Sequence, residues 1–143
     1  MEPQRSHSGR LGLDDLNRLS EVILGAAFAV HTALGPGLLE SAYEACLEYE
    51  LRKRGLRVDR QRPLPVRYQE VFVDAGNRLD LIVEDEVIVE VKSVRTIAEI
   101  HRAQLLTYLR LAGRHLGLLL NFNVRRLKEG GVCRLVQGEP PSR

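Results

Sequence analysis

Apolar residues recur at helical spacing over the first third of the chain and then change period. Leu16, Leu19, Ile23, Ala27, Val30 and Leu34 form one stripe of a helix that Asp14 or Asp15 is placed to cap, and Gly35, Pro36 and Gly37 stop it. A further helix is predicted over residues 38–54, burying Ala42, Ala45, Cys46 and Tyr49, with Gly55 as terminator. Extended segments follow from Val58, irregular or at an edge because of Pro63 and Pro65, with short strands over 66–68 and 71–74. Residues 78–94 alternate as a hairpin. Thr96 and Glu99 then form a capping box opening a helix to about Ala112. The run LGLLLNF at 116–122 is apolar enough for a central strand covered on both faces, and 132–136 reads as the last strand.

The hairpin concentrates the chemistry. In LDLIVEDEVIVEVKSV, period-two alternation puts Glu90 and Lys92 on one face of a strand and groups Asp80 with Arg78 and Ile82 on its neighbour. With Glu84, Asp85 and Glu86 as the loop, Val83 pairs with Val87 and Asp80 falls opposite Glu90. A loop shorter by one residue sends the two acids to opposite faces. Carboxylates about 5 Å apart across a strand pair repel unless a cation lies between them. A hard divalent ion suits that place, because Mg²⁺ takes one or two protein carboxylates and completes its shell with water and phosphate oxygens. Lys92, one of three lysines among 21 basic residues, adds a compact positive charge on the same face. Asp, Glu and Lys together suit phosphodiester hydrolysis. The plain alternative is a hairpin with solvated charges on its outer face, since D…ExK alone is a short pattern.

Other residues are candidates to join that site. Glu40 stands in the first turn of the second helix with Tyr43 on the same face, although acids are favoured at helix starts for electrostatic reasons alone. His101, Gln104 and Tyr108 share a polar stripe on the later helix, which otherwise packs through Leu105, Leu106 and Leu109. His31 ends the first helix, as a carboxy-terminal cation, a core histidine or an Mn²⁺ ligand. Arg78 shares the Asp80 face, for a phosphate or a carboxylate.

Composition narrows the class. At 143 residues the chain fits a single domain over 13–136, with polar tails at 1–12 and 137–143 that read as disordered. No apolar run reaches membrane-span length and no secretion signal opens the chain, so a cytoplasmic location and no membrane partner are expected. Cys46 and Cys133 lack CxxC or histidine spacing, which argues against zinc and a disulfide scaffold. A net charge of +2 is too small to imply nucleic acid by itself.

The motifs GPGLLESAY, with Gly37, Glu40 and Tyr43 at GxxExxY spacing, then RLDLIVEDEVIVEVKSV, HRAQLLTYL and LGLLLNFN, resemble the bacterial GxxExxY protein family. That family is placed in the PD-(D/E)XK nuclease superfamily, and the resemblance spans roughly residues 16–136. It implies an α/β, restriction-endonuclease-like core with a central mixed β-sheet flanked by helices in the order αβββαβ. By resemblance, Glu40 is the helix acid, Asp80 the metal-binding aspartate, and Glu90 and Lys92 the ExK pair. Gln104 and Tyr108 match the QxxxY element of RecB-like nucleases, in which Gln orients the site and Tyr contacts DNA, and His31 is similar to that branch's upstream metal-binding histidine. The usual proline before the aspartate is replaced by Leu79.

The expectation is a Mg²⁺- or Mn²⁺-dependent nuclease acting on phosphodiesters, with DNA favoured over RNA as partner. Asp80, Glu90 and Glu40 hold metal or water, Lys92 supports the transition state, Gln104 orients the site, and Arg78 and Tyr108 contact substrate. The rival is a catalytically silent nuclease-fold module for nucleic-acid binding or assembly, as a homodimer or a subunit of a larger defence or repair complex. Hydrolysis of another phosphate ester is a third reading.

Overall fold

In the computed structural model, which describes residues 9–141, two helices precede the sheet: α1 (Leu13–Leu34) and α2 (Glu40–Lys53). The α1 stripe buries Leu16, Leu19, Ile23, Ala27 and Val30 as its spacing predicts, while Leu34 at the end is exposed. Gly12 occupies the cap position, and Asp14 and Asp15 lie in the first turn, where acids complement the helix dipole. Ahead of α1, Leu11 is fully buried and Arg10 bonds to the Asp85 carbonyl, so packing begins before residue 13. Gln137 of the expected second tail is bonded to His115, and residues 1–8 and 142–143 lie outside the described residues.

Helix α2 is rotated from the expected face. It buries Tyr43, Glu44, Leu47 and Leu51 and leaves Tyr49 exposed. Tyr43 supplies the reason. Its ring stacks on Phe122 with centroids 4.6 Å apart, and its hydroxyl donates to the Gly35 carbonyl at 2.5 Å while accepting from the Leu38 amide at 3.1 Å. One buried phenol thus fixes both the turn after α1 and the rotation of α2.

The strands are β1 (Val58–Pro63), β2 (Val66–Tyr68), β3 (Val71–Val73), β4 (Arg78–Val83), β5 (Val87–Lys92), β6 (Leu116–Asn121) and β7 (Val132–Val136), with helix α3 (Glu99–Ala112) between β5 and β6. Five of them form one mixed sheet in the order β1-β4-β5-β6-β7. Only the β5–β6 pair is parallel, and α3 is the crossover such a pair requires. Pro63, the last residue of β1, sits on the sheet edge, where a missing amide is tolerated. Strands β2 and β3 form a separate hairpin with Tyr68 and Phe72 exposed and Arg67 lying over the Phe72 ring. Helix α3 starts at Glu99, later than the capping box at Thr96 predicts, because the His101 ring accepts the Ala98 amide at 2.9 Å and caps the turn itself.

Apolar clusters cover both faces of the sheet. Leu16, Ile23, Tyr43 and Leu47 pack with Leu81, Val89, Leu118 and Phe122 on one face, and Leu105 and Leu109 of α3 pack with Leu79, Ile82, Ile88 and Leu119 on the other. All six residues of β6 are buried, as a doubly covered strand requires. Gly117 on β6 lets α3 come close, since a Cβ there would lie 2.9 Å from the Leu105 methyls. Cys46 and Cys133 are free and half-buried.

The β4–β5 loop is Glu84, Asp85 and Glu86, and Val83 pairs with Val87. Glu84 and Asp85 are both left-handed, at φ 53° and 56°. Asp85 is bound by arginines from separate parts of the chain: Arg62 at 2.7 Å and Arg114 at 3.0 Å reach its carboxylate, and Arg10 and Arg114 reach its carbonyl. Burial works against the Asp85 charge, but the hydrogen bonds from Arg62 and Arg114 outweigh it and hold the carboxyl at about 2. A depressed carboxyl contributes stability above its unfolded value and loses it as pH falls through the folded one. Asp85→Ala is therefore expected to lose about 1–2 kcal/mol at neutral pH. In urea denaturation series, the difference from wild type should shrink between about pH 4 and pH 2.

Candidate functional site

Asp80 and Glu90 occupy the point where β4 and β5 part. Pairing between these strands runs from Val83↔Val87 to Leu81↔Val89 and stops, while β5 continues to Lys92 against β6. Beyond that point the two acids take over from the ladder. The Asp80 amide donates to Glu90 Oε2 at 2.9 Å, and the Val91 amide donates to Asp80 Oδ2 at 2.8 Å. Each carboxylate thus satisfies a backbone N–H that the diverging strand leaves without a carbonyl. The alternation of β4 also breaks here: Leu81 and Val83 belong to the α1–α2 side, but Leu79 packs with Ile82 on the α3 side.

Glu44, four residues after Glu40, joins the pair from α2. It is 4% exposed, and its Oε1 accepts from Arg60 Nε at 2.9 Å and from Gln61 Nε2 at 2.7 Å. The same Gln61 amide lies 3.4 Å from Asp80 Oδ1. Lys92 acts on both Asp80 and Glu90 through space and makes no ion pair within 4.0 Å among the described residues. Asn121, fully buried beside it, accepts the amides of Val94 and Asn123 and donates to the Val94 carbonyl, which fixes the chain as it leaves Lys92. Ser93 ties the same exit to the Leu38 carbonyl at 2.7 Å.

Electrostatics report the crowding. Burial, reinforced by the Asp80 charge, pushes the Glu90 carboxyl up to about 8. Burial also raises Asp80, with Glu44 adding to it against the Val91 amide and Lys92. Tyr108 is raised by burial and by the charges of Glu90 and Asp80, so its hydroxyl lies within their field.

Asp80, Glu90, Lys92 and Tyr108 therefore come together. Glu40 lies one turn outward from Glu44 and makes no hydrogen bond or ion pair among the described residues. His31 is buried, with its Nε2 donating to the Val124 carbonyl at 2.8 Å and its ring beside Phe122. Gln104 and Arg78 are exposed, and their side chains make no hydrogen bond among the described residues. Glu44, Gln61 and Asn121 escape the sequence reading. Glu44 was detectable in principle, as an acid flanking the stripe Tyr43, Leu47 and Leu51, once α2 is rotated correctly.

The donor set suits a hard cation. Asp80 and Glu90 offer oxygens alone, and Glu90 Oε1 accepts no protein hydrogen bond yet is not a buried unsatisfied atom, so it is open to solvent. Among the described residues no three His, Cys, Asp or Glu side chains close on one point at metal-holding distance. A pair of carboxylates with water completing the shell is nonetheless the usual provision for Mg²⁺.

A raised acid lowers stability as pH rises, because between its unfolded and folded values the folded state holds the proton and the unfolded chain does not. For Glu90 that window runs from the ordinary 4.5 to about 8. Glu90→Gln keeps an oxygen for the Asp80 amide and removes the charge. At pH 8 without metal it is expected to be more stable than wild type by roughly 2–4 kcal/mol. At pH 5, in the same urea titrations, the two should nearly coincide.

A family model of the PD-(D/E)XK nuclease superfamily matches residues 17–135. No curated protein and no solved structure matches the chain. The match covers both strands that carry Asp80, Glu90 and Lys92, the helix that carries Glu44 and all but the last residue of the five-stranded sheet. With its mixed sheet flanked by helices and its acids at the parting of the central strands, the chain belongs to the PD-(D/E)XK nuclease superfamily and has a restriction-endonuclease-like fold.

Proposed function

We propose that this protein is a Mg²⁺- or Mn²⁺-dependent nuclease that hydrolyses phosphodiester bonds, with DNA the favoured substrate, in the GxxExxY group and with a RecB-like QxxxY element. The observation that carries the proposal is the exchange between Asp80 and Glu90 across parted strands, with Lys92 on the Glu90 strand beside them. Asp80 and Glu90 are the residues that would hold the ion. A divalent ion bound there supplies a lowered pKa for the attacking water and positive charge for the phosphate oxygens. Lys92 steadies the negative charge that builds on the phosphoryl group. Glu44 is the buried helix acid behind Asp80, and Glu40, one turn outward, orients water. Tyr108 and Gln104, one turn apart on α3, position the site and the strand, and Arg78 contacts a phosphate.

Cleavage of plasmid and of single-stranded DNA is expected in Mg²⁺ or Mn²⁺ and absent in EDTA. Lys92→Ala should lower the rate by about 10²–10³-fold while folding survives. Cleavage by Lys92→Ala equal to wild type would sink the assignment. Binding of nucleic acid without cleavage in either metal, unchanged in Asp80→Asn, would instead identify a catalytically silent module.

The two helix acids are separable by the same assay. Glu44→Gln is expected to reduce the rate roughly tenfold or more, and Glu40→Gln to reduce it less, because Glu44 alone is wired to the Asp80 carboxylate through Gln61. The reverse ranking would make Glu40 the helix acid.

A further inference from the structure

Gln61 sits at an interruption between β1 and β4. Pairing runs through Asp59↔Ile82 and Arg60↔Leu81 and resumes at Arg62↔Leu79, so Gln61 faces Asp80 at the one position that drops out of the register. Its backbone is left-handed at φ 56°, which a long-chain L-residue inside a strand adopts rarely and against steric resistance. Edge position does not require this conformation, since the residues on either side of it pair normally. The side chain supplies what the backbone does not explain. Its Nε2 donates to Glu44 Oε1 at 2.7 Å and lies 3.4 Å from Asp80 Oδ1, spanning the gap between α2 and the sheet.

We infer that Gln61 is a positioning residue for the acid cluster, held in a strained backbone conformation so that its amide bridges Glu44 and Asp80. The inference rests on the metal-site reading above. An amide nitrogen carries two hydrogens and can donate to two carboxylates at once. Being neutral, it orients them without supplying the positive charge that a bound cation brings. An arginine or lysine there would act as a competing counter-ion, and an acid would add repulsion. The bridge also orients the Asp80 carboxylate from one side while the Val91 amide fixes it from the other, at 2.8 Å. Glu44 Oε1 is shared between Gln61 and Arg60, which leaves Oε2 without a hydrogen bond among the described residues.

A purely structural residue and a positioning residue respond oppositely to glycine. Gln61→Gly accepts the left-handed backbone without strain and removes the amide, and Gln61→Met keeps the length but not the donors. The experiment is calorimetric titration of Mn²⁺ into metal-free wild type, Gln61→Gly and Gln61→Met, with thermal unfolding of each. Expected are a Tm for Gln61→Gly at or above wild type and Mn²⁺ binding weakened about 10-fold or more in both variants. Wild-type affinity in Gln61→Gly would overturn the role of Gln61 and leave the metal site standing. A Tm for Gln61→Gly clearly below wild type, together with weaker binding, would reduce Gln61 to a structural part of β1. Absence of Mn²⁺ binding in wild type itself would bring down the metal-site reading, and the positioning role with it.

Discussion

Everything at the site depends on the register of one hairpin, and that register is held at its tip. The loop Glu84–Asp85–Glu86 contains no glycine, although Glu84 and Asp85 both take left-handed backbone angles. Such angles cost an L-residue about 1–2 kcal/mol each, so the loop needs compensation from outside itself. Arg10, Arg62 and Arg114 provide it by converging on Asp85 from the chain before α1, from the sheet edge and from the turn after α3. With the tip pinned, Val83 meets Val87 and Asp80 meets Glu90. A slip by one residue would turn Ile88 and Glu90 together into the α1–α2 cluster and take Val87, Val89 and Val91 out of it, which both covered faces of the sheet forbid.

The parting of β4 and β5 follows from what sits on either side. Strand β5 must stay straight to pair with β6 along its whole length, whereas β4 follows β1 toward the β2–β3 hairpin. Divergence leaves amides without carbonyl partners, and a buried amide must be satisfied. Acidic side chains meet that need because they are acceptors only. The same geometry brings two carboxylates together, with Lys92 beyond contact distance. Structural necessity and reactive arrangement are thus one feature of the sheet.

Much of this was legible in the sequence because it rests on periodicity and on the handedness of strand alternation. The α1 stripe and the doubly covered β6 follow from counting, and Asp80 opposite Glu90 follows once the loop is three residues long, which the structure supplies. The rotation of α2 did not, because its apolar positions are sparse and the deciding contact, Tyr43 on Phe122, joins residues far apart in the chain. Glu44 was hidden by that misplaced face, and Glu40 stood out instead through its motif. Gln61 left no signal at all, since a left-handed glutamine in a strand has no sequence mark. His31, which the sequence left open between a helix-end cation, a core histidine and a ligand, is buried with its Nε2 bonded to the Val124 carbonyl.

The charge balance at the cluster is uneven. Glu44 is matched by Arg60 at 2.9 Å, so the remaining partners are two carboxylates, Asp80 and Glu90, against the single ammonium of Lys92 held at a distance. Left alone, the cluster resolves its surplus of negative charge by keeping a proton on Glu90, whose carboxyl is pushed up to about 8 by burial and by Asp80. An ion held at this pair as proposed would displace that proton, and its affinity would rise with pH until the proton is gone. The destabilisation stored at Glu90 is tolerated because β5 is the most deeply covered strand beside β6, with apolar contacts on both sides to hold it in place. An acid this poorly placed persists only where the surrounding packing is strong enough to hold it away from water.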